Sequence, residues 1–412
     1  MKNKKISLFI DSLLAGLLLS SSLIEEMFRV LLSIVFGGNN SFPVNYIDSF
    51  IFLVIYFFLL FRLFNDFYRP IIIRSLFATL IIGFLFAFSV LVNRNVVMFS
   101  GSFLSLIIRF PLYFFFGELL FYKTSIFQDL RYFIILSIFY CLLFIISPNQ
   151  SDYMVFSYYL LPWTVLSFYF FAKKRKVVFL FIFLFLFVSL MLYGARMPCL
   201  ITIISAIVFI VLNTRKNRIP TAFASLFALG IFFVAIFTFR KELLTFLDSN
   251  GIESKFISRL IEENVFESSQ RILVYKYAFN EIKSNLFKIR GFYSDRLFFG
   301  DTFYETNALG IWILDNNRYT LYCHNVIIEL FFDFGLVLGF FALFAFVVLL
   351  IKAFLLFKNT NNSKDILIYL LLVSFLPLLV SNSYLSYSLL WFFVGYLITY
   401  HFGNKKYGYQ IC

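Results

Sequence analysis

The segment "YCHNVIIELFFDFGLVLGFF", residues 322–341, sets His324 beside Asn325 and carries Glu329 and Asp333 into an apolar run. Histidine titrates near neutrality, so it can take a proton from a hydroxyl at working pH. His324 is one of 2 histidines among 412 residues; the other, His401, sits in the tail and reads as interfacial. Asn325 and Glu329 are spaced i, i+4 and share a helix face that Asp333 continues. Glu329 lies roughly 140° around a helix from His324, so a straight helix does not make it the orienter of that histidine. Taken alone, His324 also fits a polar interfacial residue; its polar neighbours favour the proton acceptor.

The cations suggest a site for an anion. Arg196 lies in "MLYGARMPCL", between two apolar runs. It reads either as a snorkelling side chain or as an anion site at the bilayer edge, where charge needs a partner. Arg271 follows Ser268 and Ser269, either of which can cap a helix. A fixed positive charge beside unsatisfied helix N–H groups suits phosphate, although a solvated surface arginine has the same sequence. "IRGFYSDR" adds Arg290 and Arg296 around Gly291, a turn residue. Cys141, Cys199, Cys323 and Cys412 show no metal spacing, and nothing calls for a disulfide between Cys199 and Cys323. No run of carboxylates demands a divalent ion, and no Walker or dinucleotide motif is present. The reading is therefore of no metal and no cofactor.

The elements that position these residues are set by composition. The chain is 61% hydrophobic, its mean hydropathy is +0.89 and only 14% of it is charged. Soluble domains are about 45–50% apolar, so the solvent for most of this chain is lipid. The net charge of +13 does not point to nucleic acid, because the lysines and arginines lie in short links between apolar runs. A membrane helix needs roughly 20 apolar residues, which yields about twelve candidates. They fall near 6–23, 46–64, 71–92, 101–122, 131–146, 154–171, 177–193, 197–212, 221–239, 335–357, 365–381 and 386–401. Residues 27–36 form a further apolar stretch that could lie flat or extend the first span. The start resembles a signal peptide, but Asp11 interrupts its core and no cleavage site follows, so an uncleaved helix is expected.

Placing "MKNKK" in the cytoplasm puts "FRLFNDFYRP", "YKTSIFQDLR", "AKKRK", "NTRKNR", "KNTNNSK" and the tail inside, and all are basic. "VNRNVVMFS", "SPNQSDY", "YGAR" and "SNSYLS" then fall outside and are poor in lysine and arginine, as the positive-inside rule requires. Both termini are expected inside. The organisation reads as membrane helices over 1–239, a large outer loop over 240–322, and further helices with a cytoplasmic tail over 323–412, in one membrane domain. The loop holds as many acids as bases. Its "SKFISRLIEENV" and "ESSQRILVYKYAFNEIKSNLF" repeat apolar residues at helical spacing, so it should be folded and helical.

Together, "YCHNVIIELFFDFGLVLGFF", "SSQRILVYKYAFNEIKSNLFKIRGFYSDR", "YGARMP" and "FSYYLLPW" (156–163) resemble the O-antigen polymerase and O-antigen ligase superfamily. The resemblance spans nearly the whole chain. It implies an all-α integral membrane glycosyltransferase of GT-C type, in a bacterial cytoplasmic membrane. Its substrates would be an undecaprenyl-diphosphate-linked oligosaccharide donor and acceptor, and it allows a chain-length regulator protein as partner. It assigns the diphosphate to Arg196 and Arg271 and general-base work to His324; Arg290, Gly291, Arg296, Asn325 and Glu329 are read as supporting residues. Two departures stand out: Met197-Pro198 replaces small residues in the arginine turn, and Gly291 stands where two glycines are common. The chemistry needs no metal: arginines neutralise the leaving diphosphate and a base takes the hydroxyl proton. "IRGFYSDR" and "FSYYLLPW" look more like a repeat-unit polymerase than a ligase acting on lipid A core. A lipid-linked sugar flippase or other transporter is the alternative of another class, but the polarity gathers in one outer loop rather than at a membrane midplane.

Overall fold

A computed structural model describes residues 2–36, 46–93, 96–147, 152–213, 238–249, 270–306, 321–359, 364–380, 382–384 and 387–402, with isolated helical positions between 220 and 234. Among the described residues the chain is all-helical, with no strand. The helices are α1 (Lys2–Phe36), α2 (Tyr46–Arg62), α3 (Arg69–Asn93), α4 (Val96–Tyr122), α5 (Ser125–Ile146), α6 (Tyr153–Lys174), α7 (Val177–Tyr193) and α8 (Arg196–Asn213). After them come α9 (Arg240–Ser249), α10 (Gln270–Ser284), α11 (Ser294–Thr306), α12 (Val326–Asn359), α13 (364–380) and α14 (Ser388–Phe402). α13 passes through a π-helical segment, Leu371–Phe375. Among the described residues six helices are long and apolar enough to cross a bilayer, with α7 and α14 as shorter apolar helices. The protein is an all-α membrane protein. Residues 27–36 continue α1 rather than forming a separate lying helix. Most of 221–239, the helix expected over "SKFISRLIEENV" and the caps Ser268 and Ser269 lie outside the described residues.

The chain divides into two compact units. In the first (Met1–Ile55 and Ser125–Val265), α6 packs on α7 and α8, and α1 packs on α5. Aromatic rings fill this core: Trp163 and Phe170 are fully buried, and the rings of Phe144 and Phe156 stack at 4.0 Å. Ser157, in α6, accepts a 2.6 Å hydrogen bond from the Ala195 N–H. That bond closes the short turn from α7 to α8 and sets Arg196 as the first residue of α8.

In the second unit (Tyr56–Thr124 and Phe266–Cys412), α4 packs most closely on α14. The two backbones meet at Gly117 and Gly395, where any Cβ would collide with a facing carbonyl, Phe392 or Phe114. Arg74 reaches the fully buried Glu118 through Nε (2.9 Å) and Nη2 (2.5 Å), so a charge in an apolar span is paired.

α12 is not one straight helix. It breaks at Gly335, with φ 69° and ψ −177°, a conformation open almost only to glycine. A break orphans carbonyls before it and amides after it. Here the segment after α10 supplies the partners. The Arg290 and Gly291 N–H groups both donate to the Asp333 carbonyl (2.8 Å), Arg290 Nη1 donates to the Phe332 carbonyl (3.0 Å), and the Leu336 N–H donates to the Leu286 carbonyl (2.6 Å). Gly291 has φ 86°, and a Cβ there would lie 2.8 Å from that of Ser89. The Ser89 hydroxyl in turn accepts from the Phe292 N–H at 2.9 Å. The turn at Gly291 is thus fitted against both the α12 break and α3.

Candidate functional site

Asn325 caps α12. Its Oδ1 accepts from the Ile327 and Ile328 N–H groups (3.0 and 3.3 Å), an N-cap arrangement, and its Nδ2 donates to the Leu379 carbonyl at 2.8 Å. His324 stands immediately before that cap with φ 51°. A positive φ is uncommon for a residue with a side chain, costs about 1–2 kcal/mol, and persists only where neighbours hold it. The Tyr322 ring lies against the imidazole, with centroids 4.0 Å apart and a 40° interplanar angle. His324 is half-buried.

Behind His324 the fold gathers three buried carboxylates, Asp295, Glu329 and Asp333, with ligand atoms within 4.8 Å of one another. No such cluster is legible in sequence, because Asp295 comes from the first turn of α11 and the others from α12. Every oxygen of the three accepts a hydrogen bond. Asp295 accepts from the Arg296 N–H (2.8 Å) and, through Oδ2, from the Cys323 N–H (2.9 Å). Glu329 accepts from the Ser383 hydroxyl and the Tyr384 N–H. Asp333 accepts from the Ser294 hydroxyl (2.7 Å) and the Tyr384 hydroxyl (2.9 Å). By donor type this set could surround a hard cation, but its hydrogen bonds already do structural work. They join α11, α12 and the link between α13 and α14.

Burial raises the Asp295 carboxyl above its ordinary value, against the opposing pull of Arg296 and the Cys323 amide. Burial, and then Asp295 itself, push the Cys323 thiol well up. Cys141, Cys199 and Cys323 are free and buried.

The polar stripe expected along α12 is therefore present, but it faces the protein. Asn325, Glu329 and Asp333 each hold part of 379–384. Arg290, read from sequence as a further cation for an anion, is buried and consumed by Glu281 (2.9 Å) and the Phe332 carbonyl. Arg296 is placed differently. Its guanidinium lies over Tyr293 (4.6 Å) and Tyr322 (5.3 Å), so it flanks the ring that lies against His324. Tyr293 is itself left-handed, with φ 61°. The sequence reading missed Asp295, Tyr322 and Tyr384. The only local hints were the "SDR" helix start and the small polar residues of "SNSYLS".

Arg196 is half-buried at the start of α8, and Arg271 lies in the first turn of α10.

No curated protein and no solved structure matched the chain. Residues 179–344 match the family model described as O-antigen ligase, a span running from α7 through the Gly335 break. That span includes Arg196, Arg271, Asp295 and His324. Over residues 179–344 this multi-pass membrane protein is similar to the O-antigen ligase family.

Proposed function

We propose that the chain polymerises undecaprenyl-diphosphate-linked oligosaccharide repeat units into O-antigen or a related surface polysaccharide. The reaction takes place on the outer face of the bacterial cytoplasmic membrane. One observation carries the reading: His324 is held in a left-handed turn at the capped start of α12, half-buried and against the Tyr322 ring. In the proposed step, an acceptor sugar hydroxyl attacks the anomeric carbon of the donor. The bond from that carbon to the diphosphate oxygen breaks. The hydroxyl proton passes to His324, and undecaprenyl diphosphate leaves with its electron pair. Arg196 and Arg271 neutralise charge growing on the diphosphate, which is where preorganised donors contribute most. No resident metal is assigned a step.

The ligase reading, with lipid A core as acceptor, is favoured by the description of the matching family. The polymerase reading is favoured by "IRGFYSDR" and "FSYYLLPW". Purified protein given lipid-linked repeat units separates them. A ladder of lengths supports polymerisation. A single transfer onto added lipid A core supports the ligase, and neither product leaves a transporter. His324→Ala should bind donor yet transfer about 10²–10⁴-fold more slowly. A wild-type rate in His324→Gln would remove proton abstraction from its role.

A further inference from the structure

We infer that Asp295 is a positioning residue for His324. The inference rests on the reading of His324 as the proton acceptor. Asp295 is fully buried, in the first turn of α11. Its Oδ2 accepts the Cys323 N–H at 2.9 Å, one residue before His324. This bond is a clamp on the backbone that enters the left-handed turn. Arg296, next along α11, lays its guanidinium over Tyr322, on the other side of Cys323. The "SDR" start of α11 therefore holds Tyr322 and Cys323 in place, and those two residues set where the imidazole points.

α11 is itself fixed by Ser294, whose hydroxyl donates to Asp333, and by the turn that fills the α12 break. The position of the base is thus set from the outer loop as well as from the membrane helix. Without the carboxylate, the Cys323 amide loses its acceptor inside the protein, and the turn at φ 51° loses one of the contacts that oppose its strain. Misplacement of a catalytic group by about 1 Å can cost 10²-fold in rate.

The test is a set of variants of the full-length protein in detergent or nanodiscs, given lipid-linked repeat units. Donor binding and turnover are measured separately. Asp295→Ala should lower the maximal rate about 10²-fold while leaving donor KM within a few-fold. Asp295→Asn keeps an oxygen for the Cys323 amide and should recover to within about tenfold of wild type. Asp295→Ala combined with His324→Ala should be no slower than His324→Ala alone. A wild-type rate in Asp295→Ala, with His324→Ala slow, overturns the positioning role and leaves the base reading standing. A wild-type rate in His324→Ala overturns both. Should the alanine variant fail to fold, the asparagine variant decides. Turnover as slow as that of His324→Ala, with donor binding intact, refutes the hydrogen bond as the means.

Discussion

Asn325 and Leu379 are joined by a 2.8 Å hydrogen bond from the Asn325 side-chain amide to the Leu379 carbonyl. The same side chain caps α12 through Oδ1. One residue therefore starts the helix that follows His324 and ties it to the end of α13. The paired His324-Asn325 has a plain physical division of labour: the first residue is presented and the second anchors.

Asn325→Ala should cost about 0.5–2 kcal/mol for the lost cap, with a further loss from the orphaned Leu379 carbonyl. Asn325→Asp keeps the capping oxygen and loses only the tether, so it should fall between. Melting temperatures of the purified proteins order the three. An aspartate variant less stable than the alanine variant would contradict the cap.

Gly335 should be intolerant of any side chain. Its φ of 69° with ψ −177° is strained for other residues by about 1–3 kcal/mol. A Cβ there would also lie 2.9 Å from the Lys288 carbonyl. Gly335→Ala should lower both the yield of monodisperse protein and its melting temperature. Gly83→Ala, whose Cβ meets nothing closer than 3.8 Å, should be neutral or slightly stabilising.

Asp295 gives stability a pH dependence of definite sign. Burial beside Glu329 and Asp333 raises its carboxyl, with Arg296 opposing. The charged form is therefore disfavoured in the fold. Below the unfolded value of about 3.9 the carboxyl is protonated folded and unfolded alike and costs nothing. As pH rises from there through the raised folded value, the unfolded chain releases its proton first and stability falls. Melting curves of wild type and Asp295→Asn across that window should converge at the acid end and separate towards neutrality, with wild type losing relative to the variant. A gap that widens instead towards acid would reverse the assignment.

The basic links set the orientation to be expected. With native cysteines replaced, a cysteine at Ser249 should react with a membrane-impermeant thiol reagent on intact spheroplasts, and one at Arg175 should react only after permeabilisation. Ser249 is exposed at the end of α9 and Arg175 ends α6, so both sites are accessible to reagent on their own side. Labelling at Arg175 alone would invert the topology.

The helices were readable because lipid imposes a length: the span expected at 177–193 coincides with α7, and most others agree within a few residues. Gly291 as a turn was readable for the same kind of local reason. The break at Gly335 was not, because "FGLVLG" is apolar on both sides and hydropathy is blind to dihedral angles. Arg290 reads in sequence as a further cation for an anion. The break orphans the Phe332 carbonyl, and that carbonyl draws the guanidinium inward. Asp295 could not be joined to Glu329 and Asp333 from spacing, since the donors that hold the three together come from Ser294, Ser383 and Tyr384 as well. Residues around Arg196 were legible as a turn, but the Ser157 hydroxyl that closes it sits a helix away.

The bonds from Ser383 and Tyr384 to Glu329 and Asp333 also bear on biosynthesis. A chain emerging from the ribosome makes α11 and α12 well before the link that follows α13. Until that link arrives, Glu329 lacks both of these donors and Asp333 one of its two. The surroundings of His324 therefore mature last, as the final helical hairpin inserts. A chain arrested before Ser383 would hold Arg196, Arg271 and His324, yet leave the Glu329 carboxylate without the donors that satisfy it in the fold.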